Sequence, residues 1–365
     1  MNPIRWQTQA AIALLDDAPL QTQWDRLNTA RLDLPFLSAA AMCAALQAFG
    51  TGQERLAIGT ADGEVAAMLL LVNDGALRWR TFQPSQVPLG AWVATPEHDI
   101  DTLSRSLMRG PLGLCLALSI TQVDPLMARR QPDASDTTHA DYIHTAWVSI
   151  EGAFDDYWAA RGKNLRQNLR KQRNRLAAES TPTLMRMFRA PEDMAPALAR
   201  YGAMESAGWK ASQGTAIKAD NAQGGFYIQL FEDAARRGEA FVFEYLIGDK
   251  PAAMNLCLLR NGTLVVLKTT YDESLPKTLS PAFLLREEEL QHIFAGQEIR
   301  RIEYYGKVMD WHTKLTDSQR ALYHLTVYRW PLVKSLAQRR RAALAEVPLA
   351  MPVTQEPQAI GGGPR

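Results

Sequence analysis

Residues 56–79 read LAIGTADGEVAAMLLLVNDGALRW, and residues 242–266 read VFEYLIGDKPAAMNLCLLRNGTLVV. Each runs as an apolar strand, a tight turn (Asp62-Gly63 in one, Gly248-Asp249 in the other), then Ala-Ala-Met inside a second apolar strand. Each closes on a further turn, Asp74-Gly75 or Asn261-Gly262, before a third strand. Turn dipeptides of this kind between apolar runs are a strong hairpin signal. One three-stranded meander says little. The same meander repeated 186 residues later, from Ala66 to Ala252, predicts a duplicated α/β domain.

Length and composition agree. A chain of 365 residues exceeds the size at which one core usually keeps growing, and 47% hydrophobic residues suffice for two cores. A net charge of +1 excludes nucleic-acid binding by bulk charge. Cys43, Cys115 and Cys257 lie far apart in apolar runs, which reads as buried thiols in a reducing compartment rather than a disulfide framework. The N-terminal apolar stretch is broken by Asp16-Asp17 too early for a signal peptide, and no run has the length of a membrane helix. The expectation is a cytoplasmic protein.

Along the chain, residues 21–50 read as helical with a break at Pro35, Ile100–Arg109 as a short helix, and Gly113–Thr121 as a buried strand. The polar, breaker-rich stretch Gln131–Asp141 reads as the linker between halves. The second half reads as a strand at His144–Ile150, a basic helix at 154–179, a strand at 183–188, helices at 191–207 and 224–237, and the second meander. A helix from Ser280 and strands at 299–304 and 321–329 follow. The last residues, PVTQEPQAIGGGPR, have the composition of a disordered tail.

Several phrases in this order carry a resemblance: FDDYWAARGKNLRQNLRKQRNRL (154–176), ESAGWK with a following glycine (205–214), FY-x-x-L-x-x-x-A-x-x-G (226–238), LKTTYDE followed by SP (267–281) and DWHTKLTD (310–317). The chain resembles the GNAT superfamily of N-acyltransferases over roughly residues 20–335. Within it, the chain is similar to the acetyltransferase-like family associated with bacterial cellulose and exopolysaccharide biosynthesis. That family is related to the Fem peptidoglycan transferases, which carry two GNAT domains in tandem. The implied architecture is α/β, with two tandem GNAT-like domains, each a mixed sheet flanked by helices. Residues 1–140 would form a degenerate domain, 141–345 the acyltransferase domain and 346–365 the tail.

The resemblance also implies where a thioester donor lies. The last meander strand, Leu264–Thr269, would splay from Ile299–Tyr304, with the donor arm between them and its pyrophosphate at the helix starting at Ser280-Pro281. Serine is a favoured N-cap, proline suits the first helical position, and free N–H groups there attract anions. Lys268 and Lys277 would add positive charge, and Ala282 stands where the family often has glycine. Residues 271–283 contain no glycine at all, a departure from the usual cradle. The implied cosubstrate is therefore acyl-CoA, with an acyl carrier protein as the other candidate, and no permanently bound cofactor. The corresponding turn of the first half, Gln83–Gly90, precedes no good helix start, so that half is expected to lack a donor site.

Direct acyl transfer needs a base for the attacking amine or hydroxyl and an acid for the departing thiolate. Glu205 is the candidate base; the alternative is an exposed helix-end carboxylate. Trp209 and Lys210 beside it are candidates for the acceptor pocket, with core packing the alternative for the tryptophan. Asp310 and Lys314 hold the acceptor or, as an i,i+4 pair, each other. Glu303, Tyr304 and Tyr305 end the splay strand and Tyr271 ends the strand facing it; spacing does not choose the acid among the tyrosines. The six histidines form no metal-binding spacing, and the chain has neither a nucleophile elbow nor a P-loop.

Seven basic residues, Arg161, Lys163, Arg166, Arg170, Lys171, Arg173 and Arg175, crowd one helix. This is a solvated face, a dock for an acidic carrier protein or a phosphorylated acceptor, or a tRNA surface; the last lacks interleaved aromatics. The overall reading is an acyltransferase acting on an amine of a small or envelope-precursor acceptor in the cleft between halves. A catalytically silent tandem pair serving as a binding subunit of an envelope-polysaccharide assembly competes with it. An aminoacyl-tRNA-dependent Fem-like transferase would require a long helical arm, and the helical stretches here are short.

Overall fold

The computed structural model describes residues 4–207, 217–218 and 220–345. The first half contains β1 (Arg5–Ala10), α1 (Ala13–Asp16), α2 (Ala18–Arg31), α3 (Ala39–Phe49) and the meander β2 (Arg55–Ala61), β3 (Glu64–Asn73) and β4 (Arg78–Thr81). It continues through β5 (Trp92–Ala94), α4 (Ile100–Arg109) and β6 (Ala117–Val123). Strand β7 (Thr137–Ser149) leads into α5 (Phe154–Ala159), α6 (Lys163–Ala178), β8 (Thr183–Phe188), α7 (Pro191–Ala207) and α8 (Ala222–Arg236). The second meander is β9 (Ala240–Ile247), β10 (Lys250–Arg260) and β11 (Thr263–Tyr271). After it come α9 (Pro281–Ala295), β12 (Arg301–Glu303), α10 (Asp310–Thr313), β13 (Gln319–Tyr328) and α11 (Pro331–Ala345). The predicted tail, 346–365, lies outside the described residues.

The strands form one mixed sheet in the order β1-β2-β3-β4-β6-β13-β7-β12-β11-β10-β9-β8, with β5 paired to β3. The repeat is visible in that order. Each meander ends on a strand that pairs in parallel with the strand after the next helix: β4 with β6, and β11 with β12. The two halves meet through β13 and β7, and they are exchanged. The last strand of the chain, β13, pairs with β6 of the first half, while β7 pairs with β12 of the second. A division at residue 140 thus falls inside β7, and the end of the polar stretch read as a linker is strand, with Thr137 and His139 buried.

Alternation along the second meander sends side chains to two cores. Val242, Met254, Leu256 and Val265 join Tyr201 of α7 and Phe226 of α8 on one face, together with α2 and α3 of the first half. Phe243, Cys257, Leu264 and Val266 face Leu284 and Leu290 of α9 and Leu169 of α6 on the other. The halves are joined by this shared core, where Phe49 packs on Phe226 with ring centres 5.3 Å apart and Phe36 on Tyr305 at 5.1 Å. Charge joins them too: Arg260 reaches Asp33 at 3.4 Å. The predicted single basic helix is two helices, broken between Ala159 and Lys163. Among the described residues, no helix is long and apolar enough to cross a membrane.

Candidate functional site

The parallel pair β11 and β12 holds for only three positions, Thr263 to Arg301, Leu264 to Ile302 and Val265 to Glu303. Beyond them β11 runs on along β10 to Tyr271, while the other strand turns away through Tyr305, which sits at φ +48°. The β10–β11 register shifts by one at Leu267, a bulge that bends the strand where the partner is lost. A cavity of about 350 Å³ occupies the opening. Met204 and Glu205 at the end of α7 line it from one face of the sheet, and Ser280 to Phe283 and Arg286 of α9 line it from the other. Thr269, Thr270 and Tyr271 of β11 form the wall between. The cavity therefore passes through the sheet.

Glu205 is no exposed helix-end carboxylate. Its side chain is fully buried, with Lys268 Nζ 3.0 Å from Oε1, and Oε2 accepts the backbone N–H of Ile217 at 3.0 Å. Gly202, one turn before, allows the close approach: a Cβ there would stand 2.2 Å from the Ile217 carbonyl oxygen. Lys268, expected at the phosphates, is instead the counter-ion of Glu205, its ammonium 5.8 Å from the Tyr201 ring centre and 5.4 Å from that of Tyr227. Trp209 and Lys210 lie outside the described residues.

At the start of α9, Ser280 and Ala282 border the cavity, and Lys277 is exposed without lining it. The Ser280 N–H is already engaged, donating to Gln172 Oε1 of α6 at 2.7 Å. A second cavity of about 360 Å³ lies across Ser280 and Phe283, between α6 and α10, with Arg161 and Lys314 in its wall. Lys314 stacks over Phe283 at 5.2 Å, and among the described residues no ion pair joins it to Asp310. Of the basic helix, Arg173 is bound to Glu287 and Glu288 and Arg175 to Glu179, leaving Lys163, Arg170 and Lys171 as its exposed cations outside these pairs.

Among the candidate acids, Tyr271 is half-exposed at the cavity lip. Tyr304 and Tyr305 are buried and border a different cleft, between the halves. Burial pushes both phenols up. Glu303 is not in the cavity: it accepts from Arg301 at 2.6 Å and from Arg320 at 3.0 Å, and burial raises its carboxyl while Arg320, then Arg301, pull it back.

One group lay beyond sequence reasoning. Arg286, lining the cavity, is 3.1 Å from Glu289, and Asn255 Nδ2 donates to the same carboxylate at 2.6 Å. The guanidinium lies 5.4 Å from the Tyr304 ring centre and 5.2 Å from that of Trp311. His312, beside them, is pushed down to about 4 by burial, then by the Arg286 charge, so it is neutral at neutral pH. The available signal was that Arg286 and Glu289 fall on the stripe of α9 set by Leu285, Leu290 and Ile293.

In the first half, among the described residues, the corresponding strands are tied together. Thr81 Oγ1 lies 2.7 Å from Thr121 Oγ1 and accepts the Thr121 N–H at 3.0 Å, and the Gly90 N–H donates to the Thr121 carbonyl at 3.0 Å. The chain leaves the sheet after Thr81 and returns as β5, so the segment 82–91 is an excursion from what is one continuous strand in the other half.

A family described as an acetyltransferase (GNAT) domain matches residues 163–313, which hold α6 to α10 and the whole of this cavity. No curated protein matches the chain. Among solved structures, it is similar to the C-terminal domain of a putative lysylphosphatidylglycerol synthetase from Agrobacterium fabrum, at 14% identity and a TM-score of 0.51, over 82% of this chain and 92% of that one. A conserved protein of unknown function from Bacteroides thetaiotaomicron is similar at 13% identity and a TM-score of 0.52, over 90% and 99%. At these identities the likeness is one of fold. Residues 163–313 thus match a GNAT acetyltransferase domain, set within a mixed α/β sheet.

Proposed function

We propose that this chain moves an acyl group from acyl-CoA directly to an amine of a small or envelope-precursor acceptor. The observation that carries the reading is the cavity through the sheet, with Glu205 on one face and the α9 N-terminus on the other. A thioester arm threaded there presents its carbonyl carbon beside the Leu267 bulge. The neutral amine attacks that carbon, the C–N bond forms, and the proton released from nitrogen passes to Glu205. The C–S bond breaks, and the thiolate takes a proton from Tyr271, which regains it from solvent. Lys268, 3.0 Å from Glu205 Oε1, holds the carboxylate in place. The envelope acceptor rests on the sequence resemblance alone.

One observation favours a second donor. With its N–H bonded to Gln172 and no glycine in the preceding loop, Ser280 offers a diphosphate less than a helix start usually does. A pantetheine arm on an acidic carrier protein, docked at Lys163, Arg170 and Lys171, needs no such cradle. Calorimetric titration with acetyl-CoA, a longer acyl-CoA and an acylated carrier protein separates the two. Micromolar binding of an acyl-CoA, abolished by Ala282→Trp, which fills the cavity, supports the first reading. Binding of the carrier protein alone supports the second, and no binding of any donor removes both in favour of a silent binding subunit.

A further inference from the structure

Larger than the donor cavity is the cleft between the halves, about 690 Å³. Val266 and Leu267 of β11 form part of its wall, and Thr269 and Thr270, a few residues along, face the donor cavity. The two spaces therefore adjoin at the bulge, with the Lys268–Glu205 pair between them. The charge of the cleft wall is one-sided. Among the described residues it contains Arg80 and Lys307 and no aspartate or glutamate, whereas the donor cavity has Glu205 and Glu273 in its wall. The chain as a whole carries +1, so this bias is local.

The cations are available. Lys307 is exposed, and the ion pair of Arg80 with Asp74, at 3.3 Å, is 39% and 48% exposed, the kind that solvent weakens. His324 Nδ1 accepts the Gln122 N–H at 3.1 Å, which fixes its ring in the cleft wall. Tyr142, exposed at the mouth, lies edge-on to that imidazole with ring centres 4.7 Å apart. Clefts lined by one sign of charge concentrate the opposite sign. We infer that the cleft binds an anionic ligand, a phosphate ester or a carboxylic acid, with Arg80 and Lys307 as its anion contacts. On the function proposed above, that ligand is the acceptor, anchored by its anion with its amine toward the bulge; anion binding itself does not depend on that reading.

The test is equilibrium binding, independent of turnover. Inorganic phosphate, glucosamine, glucosamine 6-phosphate and muramic acid are titrated into the full chain and into an Arg80→Gln/Lys307→Gln variant, whose two sites are partly or fully exposed and leave the core intact. At least one anionic probe is expected to bind, glucosamine to bind at least tenfold more weakly, and the variant to lose about tenfold for the anions, as two half-screened charge contacts would. Preference for the 6-phosphate identifies a phosphate ligand, preference for muramic acid a carboxylate. The inference is overturned if no anion binds, if glucosamine binds as well as its anionic partners, or if the variant binds them unchanged. Failure of every acyl donor alongside retained anion binding would sink the proposed reaction and leave this site standing.

Discussion

Arg320→Met removes the cation that ties the two halves at the ends of their parallel strands. Its guanidinium donates to Asp124 at 2.9 and 2.6 Å and to both oxygens of Glu303 at 3.0 Å. The three side chains are 9%, 0% and 3% exposed, so water cannot take over these contacts. Removing one partner of a buried ion cluster costs about 3–5 kcal/mol. A chain of 365 residues unfolds with an entropy of roughly 0.8 kcal/mol/K, so Tm should fall by about 4–6 °C. The loss should also depend on pH. Burial already holds the Glu303 carboxyl above its ordinary value, with Arg320 the main opposing influence, and losing Arg320 sends it higher. A carboxyl whose folded value exceeds its unfolded one costs stability above the unfolded value, and the cost is relieved as pH falls through the folded value. Urea unfolding should therefore show a larger deficit near pH 8 than near pH 5.5. Adding Asp124→Asn and Glu303→Gln removes the stranded charges and should restore most of the loss. A deficit below about 1 kcal/mol, a deficit flat with pH, or a triple variant no better than the single one refutes the reasoning.

Glu205→Gln keeps the acceptor for the Ile217 N–H and removes the base; in a thiol-release assay kcat should fall by about 10²–10⁴ while donor binding persists. Gln172→Ala frees the Ser280 N–H, so acyl-CoA should bind about two- to tenfold more tightly by calorimetry; unchanged or weaker binding would mean that the α9 start does not meet the diphosphate. Gly90→Ala sets a Cβ 2.5 Å from Thr81 Oγ1 and 2.6 Å from the Thr121 oxygen, and should cost about 1–3 kcal/mol in thermal or urea unfolding. Because Gln83 to Pro88 line the cleft, the same change should weaken binding there and spare the donor cavity, as parallel titrations would reveal.

Much of the meander was legible because its turns are local. Asp62 and Gly63 stand at φ +53° and +86°, and Asn261 and Gly262 at +49° and +74°, the conformation those dipeptides favour in hairpins. Ser280-Pro281 likewise announced α9, whose first residue is Pro281. What escaped depends on distant partners. Thr137 to Asp141 read as linker because it has no apolar run, yet it is held as strand by residues 323–327 of β13. Lys268 was expected at a phosphate because its sign suits one; only the fold shows that the nearest anion is Glu205, 63 residues upstream. Gln172 reaches Ser280 across 108 residues, and nothing in either segment foretells it.

The asymmetry between the halves connects these observations. Two copies of one meander begin with the same opportunity, a strand free to part from its parallel neighbour. In the second copy the parting is left open and becomes a cavity through the sheet. In the first, the Thr81–Thr121 and Gly90–Thr121 hydrogen bonds close it, and Gly90 is the residue whose missing side chain lets the strands meet. Closing it expels the segment from Gln83 to Pro88, and that segment becomes a wall of the cleft facing Leu267 and Tyr305. The loop that its closure displaces supplies one side of the cleft, so on the function proposed above the two halves would serve different ligands of one reaction. On this argument, separating them should abolish acceptor recognition even where the second half keeps its donor cavity.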